Sequence, residues 1–130
     1  MLLLTTAARP CGAAADRLRV PDYAHGNFKG SAHCYGMLTI TSRLITWMTP
    51  FSFCRSSPYI VHDLQESRSG TRITFLLTHP SAKCFYPVLV LTHDRSAGID
   101  IGWNVAPHRS LENAGLDRDD VWASCYLYRY

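Results

Sequence analysis

Apolar and polar residues alternate with a period of two along most of this chain from Gly36 onward. That period is typical of half-buried β-strands, whose successive side chains point to opposite faces of a sheet. The clearest example is the run 99–105, in which every odd position is apolar. No segment shows the 3.6-residue period over a length that a substantial helix requires. The pattern therefore predicts an all-β fold.

Turn signals divide the alternating part of the chain into about seven short strands. Thr41-Ser42-Arg43 predicts a tight hairpin loop, and Pro50 predicts the end of the second strand because proline cannot donate to a ladder. The fifth run is apolar on both faces, which predicts that it is central or covered. The seven predicted strands cover residues 37–40, 44–47, 59–64, 72–78, 84–92, 99–105 and 121–130.

Seven short antiparallel strands predict a small antiparallel barrel or sandwich. Residues 110–115 predict one short helical turn before the last strand, with Ser110 as its N-cap and Gly115 near its end. With 130 residues, of which 47% are apolar, the chain suffices for a single packed domain. We assign that β domain to residues 16–130.

The first fifteen residues differ in composition from the rest. They read as an apolar Leu2-Leu3-Leu4 run followed by small residues, with Ala13-Ala14-Ala15 resembling a cleavage site. Three interpretations stay open for residues 1–15: a remnant of a secretion signal, a disordered leader, and a lipid anchor on Cys11, against which the preceding Arg9 and Pro10 argue. The first would place the mature domain outside the cytosol.

Five cysteines are present, and one of them, Cys11, lies in the leader. The other four form an even set at the edges of the predicted strands, which indicates disulfides and therefore a secreted or periplasmic location. Four cysteines allow three connectivities. We expect Cys34–Cys54, which flank the first hairpin, together with Cys84–Cys125, and next a connectivity that contains Cys54–Cys125.

Charge and ligand spacing argue against several classes of partner. The net charge of the chain is +3, and its eleven arginines and two lysines are scattered along the sequence. Because nucleic-acid binding requires clustered positive charge, no nucleic-acid partner is predicted. No C-x-x-C or H-x-x-x-H pair is present, and we predict no metal and no cofactor. No apolar run approaches the roughly 20 residues of a membrane helix, so no transmembrane helix is predicted.

Catalytic motifs are equally scarce. There is no G-x-S-x-G nucleophile elbow and no glycine-rich phosphate loop between a strand and a helix. The best enzymatic hypothesis is a small hydrolase in which His93 acts as general base beside Asp94 or Asp100. We favour a non-catalytic role, and whether the protein is an enzyme stays open.

Aromatic residues supply the candidate binding surface. Along the last predicted strand the aromatic residues all lie at even-numbered positions, which predicts that they share one face of the sheet. The same pattern is typical of the closing strand of outer-membrane barrels. Aromatic faces give much contact area at low entropic cost. The candidate binding residues are Trp47, Trp103, Trp122, Tyr126 and Tyr128.

Together these features predict a small secreted or periplasmic binding protein held by disulfides. Its ligand would be an unknown protein partner or a small apolar molecule inside the barrel. The alternatives are the His93 hydrolase and an outer-membrane-associated β protein.

Overall fold

A computed structural model describes residues 18–31, 34–115 and 125–130. Its main feature is a closed barrel of eight antiparallel strands, each paired with the next, with the last strand paired back to the first. The strands are β1 (Gly26–Gly30), β2 (Met37–Ile40), β3 (Leu44–Thr49), β4 (Ser52–Glu66), β5 (Gly70–Leu77), β6 (Val88–Asp94), β7 (Trp103–His108) and β8 (Cys125–Arg129). One short helix, α1 (Leu111–Gly115), precedes β8. The predicted all-β antiparallel architecture is confirmed.

The eighth strand is β1, which the sequence pattern did not reveal. It begins and ends with glycine and contains a single large apolar residue, Phe28, so it shows no visible alternation. Its neighbours define it: Lys29 lies opposite Met37 of β2 and Tyr128 of β8. Pairing on both sides closes the barrel and removes the sheet edges.

β4 begins at Ser52, well before Tyr59, where the sequence pattern placed its start. Pro58 lies opposite Leu44, and its carbonyl accepts a hydrogen bond from the backbone N–H of Thr78. A bulge between β3 and β4 includes Ser56, whose φ is 45°. An extra residue in one strand shifts the alternation of side chains. The shift lets the side chain of Cys54, before the bulge, share the buried face with those of residues after it.

Two other strands are shorter than the alternation suggested. β6 begins at Val88, and residues 84–87 form an irregular approach to it. β7 begins at Trp103, so Ile99 and Ile101 are exposed in the preceding loop. Gly102 interrupts the extended backbone there. Its φ is 80°, a positive value that glycine adopts readily because it has no side chain. Alternation alone does not distinguish such a loop from a strand.

Large side chains fill the inside of the barrel. Phe28 and Trp103 meet edge to face with ring centroids 5.0 Å apart, and Tyr59 and Phe75 do so at 5.3 Å. The largest fully buried side chains of this core are Trp47, Trp103, Phe28, Phe75, Leu38, Ile40, Ile45, Ile73, Leu89, Leu91 and Val105. The interior is thus a packed core, as expected for a barrel of eight strands.

The chain before β1 closes one end of the barrel, which we call the Arg129 end. The Arg129 guanidinium donates hydrogen bonds to the carbonyls of Tyr23 and His25, the latter at 2.5 Å. It also lies over two aromatic rings, 4.8 Å from the centroid of Phe28 and 5.6 Å from that of Trp103. Arg129 thereby joins the N-terminal segment to the core.

The helix α1 covers part of the outer wall. Ala114 and Leu111 pack against Val88 and Val90 of β6, which explains why the fifth predicted run is apolar on both faces. The backbone N–H of Asn113 donates to the Ser110 hydroxyl at 3.2 Å. The predicted helical turn is confirmed, and that hydrogen bond is the one expected of Ser110 as N-cap.

Candidate binding surface

Both disulfides lie at the end of the barrel opposite Arg129, which we call the cysteine end. Cys34 bonds to Cys125 with 5.4 Å between their Cα atoms, and Cys54 bonds to Cys84 with 4.6 Å. The expected pairing of Cys34 with Cys54 and of Cys84 with Cys125 is wrong, as is the second choice of Cys54 with Cys125. The structure has the third connectivity.

Barrel closure is the reason for this correction. β8 pairs with β1, so the first residue of β8 lies beside the loop that follows β1. The loop before β6 folds back over the start of β4, where the backbone N–H of Phe53 donates to the Lys83 carbonyl at 2.9 Å. The Ser81 hydroxyl donates to the Phe53 carbonyl at 3.0 Å. Neither proximity is visible in the spacing of cysteines along the chain.

Each disulfide cysteine has an aromatic neighbour in the sequence that points to solvent. A buried cysteine and the residue beside it face opposite sides of an extended chain. The disulfides therefore hold aromatic side chains on the outside in two pairs. The exposed fractions are 81% for Tyr35 and 73% for Tyr126 in one pair, and 41% for Phe53 and 58% for Phe85 in the other.

A lateral row of outward side chains joins these two pairs across five strands. The strand registers place Tyr128 opposite Lys29, Lys29 opposite Met37, Met37 opposite Met48 and Met48 opposite Phe53. Directly opposed residues have Cβ atoms about 4.5–5.5 Å apart, so their side chains are neighbours. We call the whole surface the aromatic band, formed by Tyr35, Met37, Met48, Phe51, Phe53, Phe85, Tyr126 and Tyr128.

The aromatic residues of the loops adjoin the row of strand residues at both of its ends. A depression of about 390 Å³ includes Lys29, Tyr35, Met37 and Tyr128 in its lining. At the other end the backbone N–H of Phe85 donates to the Ser52 hydroxyl at 3.0 Å, which brings Phe85 to the start of β4. The wall opposite the band is the one that α1 covers.

The five predicted binding residues have different positions. Tyr126 and Tyr128 belong to the band, whereas Trp47 and Trp103 lie inside the barrel with 1% of each side chain exposed. Trp122 lies outside the described residues. Sequence reasoning missed the band residues on β2, β3, β4 and the loops. For Tyr35, Phe53 and Phe85, the signal that could have revealed them is their position beside a predicted disulfide cysteine, whereas Met37 and Met48 carry no such signal.

His93 is engaged in local structure. Its ring stacks on Trp103 with centroids 4.2 Å apart, and 9% of the residue is exposed. Its Nε2 is 2.5 Å from the carbonyl oxygen of Gly98 and 3.2 Å from that of Ile101, so Nε2 carries the proton and donates. This geometry ties the loop before β7 to β6.

The two candidate carboxylates lie close to His93 in sequence. Asp94 accepts hydrogen bonds from the Ser96 hydroxyl at 2.7 Å and from the Ser96 backbone N–H at 3.0 Å. These bonds, with a smaller contribution from the charge of His93, hold the pKa of Asp94 below its usual value. Asp100 is exposed in the loop before β7. Asp94 thus caps the short turn that follows it.

Within residues 18–31, 34–115 and 125–130, no group of three or more His, Cys, Asp or Glu side chains could hold a metal ion. Over the same residues, no helix has both the length and the apolar character needed to cross a membrane.

An open groove of about 650 Å³ lies at the Arg129 end, between the N-terminal segment and β4. Apolar and polar side chains share its lining, which consists of Leu18, Arg19, Val20, Asp22, His25, Ser42, Tyr59, Ile60 and Val61. A small apolar ligand is usually buried over most of its surface. This open, mixed groove suits such a ligand less well than an enclosed cavity would.

No protein-family model, no curated protein and no solved structure matches the chain. Function is therefore inferred from the geometry of the barrel and its surface.

Proposed function

We propose that this chain is a non-catalytic binding protein that acts outside the reducing cytosol and contacts a protein partner through the aromatic band. The observation that carries the proposal is the row from Tyr128 to Phe53, which crosses five strands on the outside of the barrel with apolar side chains on four of them and Lys29 on β1. Contiguous exposed apolar patches mark interaction sites in soluble proteins.

The composition of the band favours a protein partner. Interface cores are enriched in aromatic residues and methionine, and both are abundant here. The disulfides restrain the loops that carry Tyr35 and Phe85. Restrained side chains lose less conformational entropy on binding, which strengthens the contact.

The disulfides also support the extracellular or periplasmic location. Disulfides form and persist in oxidising compartments and are rare in the cytosol of most organisms. Both bonds lie at the cysteine end, where one joins the loop after β1 to β8 and the other joins the segment before β6 to β4. The location stays a proposal that rests on this chemistry.

A displayed library of random peptides tests the binding role directly. The oxidised full chain would be immobilised and the library selected against it, and the enriched peptides would be synthesised for titration in solution. We expect the double variant Met37→Ser/Phe53→Ser to lose at least about ten-fold in affinity, since exposed apolar anchors dominate such interfaces. Both side chains are already partly exposed, so the fold should persist.

A matched control variant comes from the Arg129 end. Ile99→Ser/Ile101→Ser removes two exposed apolar side chains of similar size that lie in the loop before β7. It should bind the selected peptides as the parent does. Equal affinity of the parent and the Met37→Ser/Phe53→Ser variant would contradict the proposal, and so would a selection that enriches no peptide.

A further inference from the structure

Among the described residues, the charged side chains around the aromatic band are all cationic. Lys29 lies within the row itself, between Tyr128 and Met37. Lys83 lies at the other end, where its carbonyl accepts the Phe53 N–H, and Arg55 follows two positions later on the same face of β4. All three cationic side chains are exposed.

Within the described residues, the segments that build the band contain no Asp or Glu, and Asp117, Asp119 and Asp120 lie outside the described residues. The sequence has no Asp or Glu between Asp22 and Asp63, nor between Glu66 and Asp94. Within the described part of the chain, every carboxylate side chain lies either at the Arg129 end or on the wall near α1. Those residues are Asp22, Asp63, Glu66, Asp94, Asp100 and Glu112.

From this arrangement we infer that the partner presents an acidic segment, in which Asp or Glu side chains flank apolar ones, to the aromatic band. The inference rests on the proposed binding role and adds the partner's chemistry. Apolar side chains of the segment would contact Met37, Met48 and Phe53. Its carboxylates would lie near Lys29, between Tyr128 and Met37, and near Lys83, beside Phe53 at the end of the row.

Electrostatics would then set partner choice. Complementary charges accelerate encounter and exclude partners of the wrong sign, and exposed charges are screened by salt. An uncharged apolar segment would leave the cations around the band without a partner. A basic segment would place like charges beside them, which is unfavourable.

The test compares each selected peptide with a twin in which every Asp and Glu is replaced by Lys. We expect the selected sequences to be rich in Asp and Glu and the twins to bind at least about ten-fold more weakly. Affinity for the selected peptides should fall as salt rises, because the screening length shrinks from about 30 Å at 0.01 M to about 3 Å at 1 M.

Charge reversal on the protein supplies the matched control. Lys29→Glu/Lys83→Glu should weaken binding at least about ten-fold, a change of about 1.4 kcal/mol. Arg68→Glu/Arg95→Glu makes the same change in net charge at exposed positions of the Arg129 end, and it should bind as the parent does. Circular dichroism and thermal unfolding would confirm that both variants are folded.

The outcomes separate this inference from the binding role itself. Peptides without acidic bias that bind through Met37 and Phe53 would overturn the acidic partner and leave the binding role standing. Equal effects of the two charge reversals would overturn it as well. Vesicles of mixed phosphatidylcholine and phosphatidylglycerol form a further arm. Binding to these vesicles through the band, without binding to acidic peptides, would assign the surface to an anionic membrane instead.

Discussion

Removing one disulfide at a time tests both the connectivity and the contribution of each bond to stability. The two perturbations are Cys34→Ala/Cys125→Ala and Cys54→Ala/Cys84→Ala. In the chain-entropy model, the stabilisation grows with the length of the closed loop. The bonds close loops with sequence separations of 91 and 30 residues. Their contributions are therefore about 4.6 and about 3.6 kcal/mol, and the first variant should be less stable by about 1 kcal/mol.

Denaturant unfolding measures these values. Trp47 and Trp103 are buried in the core, so their fluorescence should report the loss of the barrel. A greater loss of unfolding free energy in Cys54→Ala/Cys84→Ala than in the other variant would refute the loop-length reasoning.

The same variants discriminate between connectivities. With the pairing found in the structure, each double variant keeps one intact disulfide and has the same number of free thiols as the parent. If Cys34 were bonded to Cys54 and Cys84 to Cys125, each variant would lose both bonds and release two thiols. Thiol titration of the denatured, unreduced variants distinguishes these results.

Peptide mapping gives an independent reading of the connectivity. Lysines and arginines place the four cysteines on separate tryptic peptides, covering residues 30–43, 44–55, 84–95 and 119–129. Without reduction, mass spectrometry should detect 30–43 linked to 119–129 and 44–55 linked to 84–95. Any other linked pair would contradict the structure.

Three further predictions concern the core and the Arg129 end. Burial raises the pKa of Tyr59, so the folded protein retains a proton that the unfolded chain releases above about pH 10. The contribution of Tyr59 to the free energy of unfolding should thus be complete below that pH and be lost as the pH rises further. Tyr59→Phe should make the free energy of unfolding, measured by denaturant titration at alkaline pH, fall less steeply with pH. An unchanged slope would count against burial of Tyr59 as the cause. Arg129→Met removes the hydrogen bonds to Tyr23 and His25 and should lower the free energy of unfolding by about 1–3 kcal/mol. Faster amide hydrogen exchange confined to residues 18–25 would support this role of Arg129, and an equal change in exchange along the whole chain would oppose it. Gly36→Ala places a methyl group against the Trp47 ring and should cost about 1–3 kcal/mol in thermal unfolding, whereas parental stability would show that the ring can move.

The residues of β7 and β1 show where sequence reasoning succeeds and fails. β7 could be predicted because Trp103 and Val105 alternate with polar residues, yet the loop before it continued the same alternation at Ile99 and Ile101. β1 could not be predicted because only Phe28 in it is large and apolar. Such a strand is stabilised by its two neighbours, and its own sequence carries little evidence of it.

The aromatic band follows the same logic. Tyr126 and Tyr128 were identifiable because they share one parity on one strand. Met37, Met48 and Phe53 come from three strands, and only the register between those strands aligns them in a row. Trp47 and Trp103 attracted attention as large aromatic residues, but they lie on the inward faces of β3 and β7, and closure of the barrel places them inside.

Local properties of the chain determined the class of this protein: alternation specified antiparallel strands, prolines and polar clusters specified turns, and four cysteines specified cross-links. Closure of the sheet decided the rest, including the eighth strand, which sulfur atoms meet and which aromatic side chains share the outer wall. The physical reason is that strand pairing and loop packing connect residues far apart in the sequence. Period and spacing describe only neighbours along the chain.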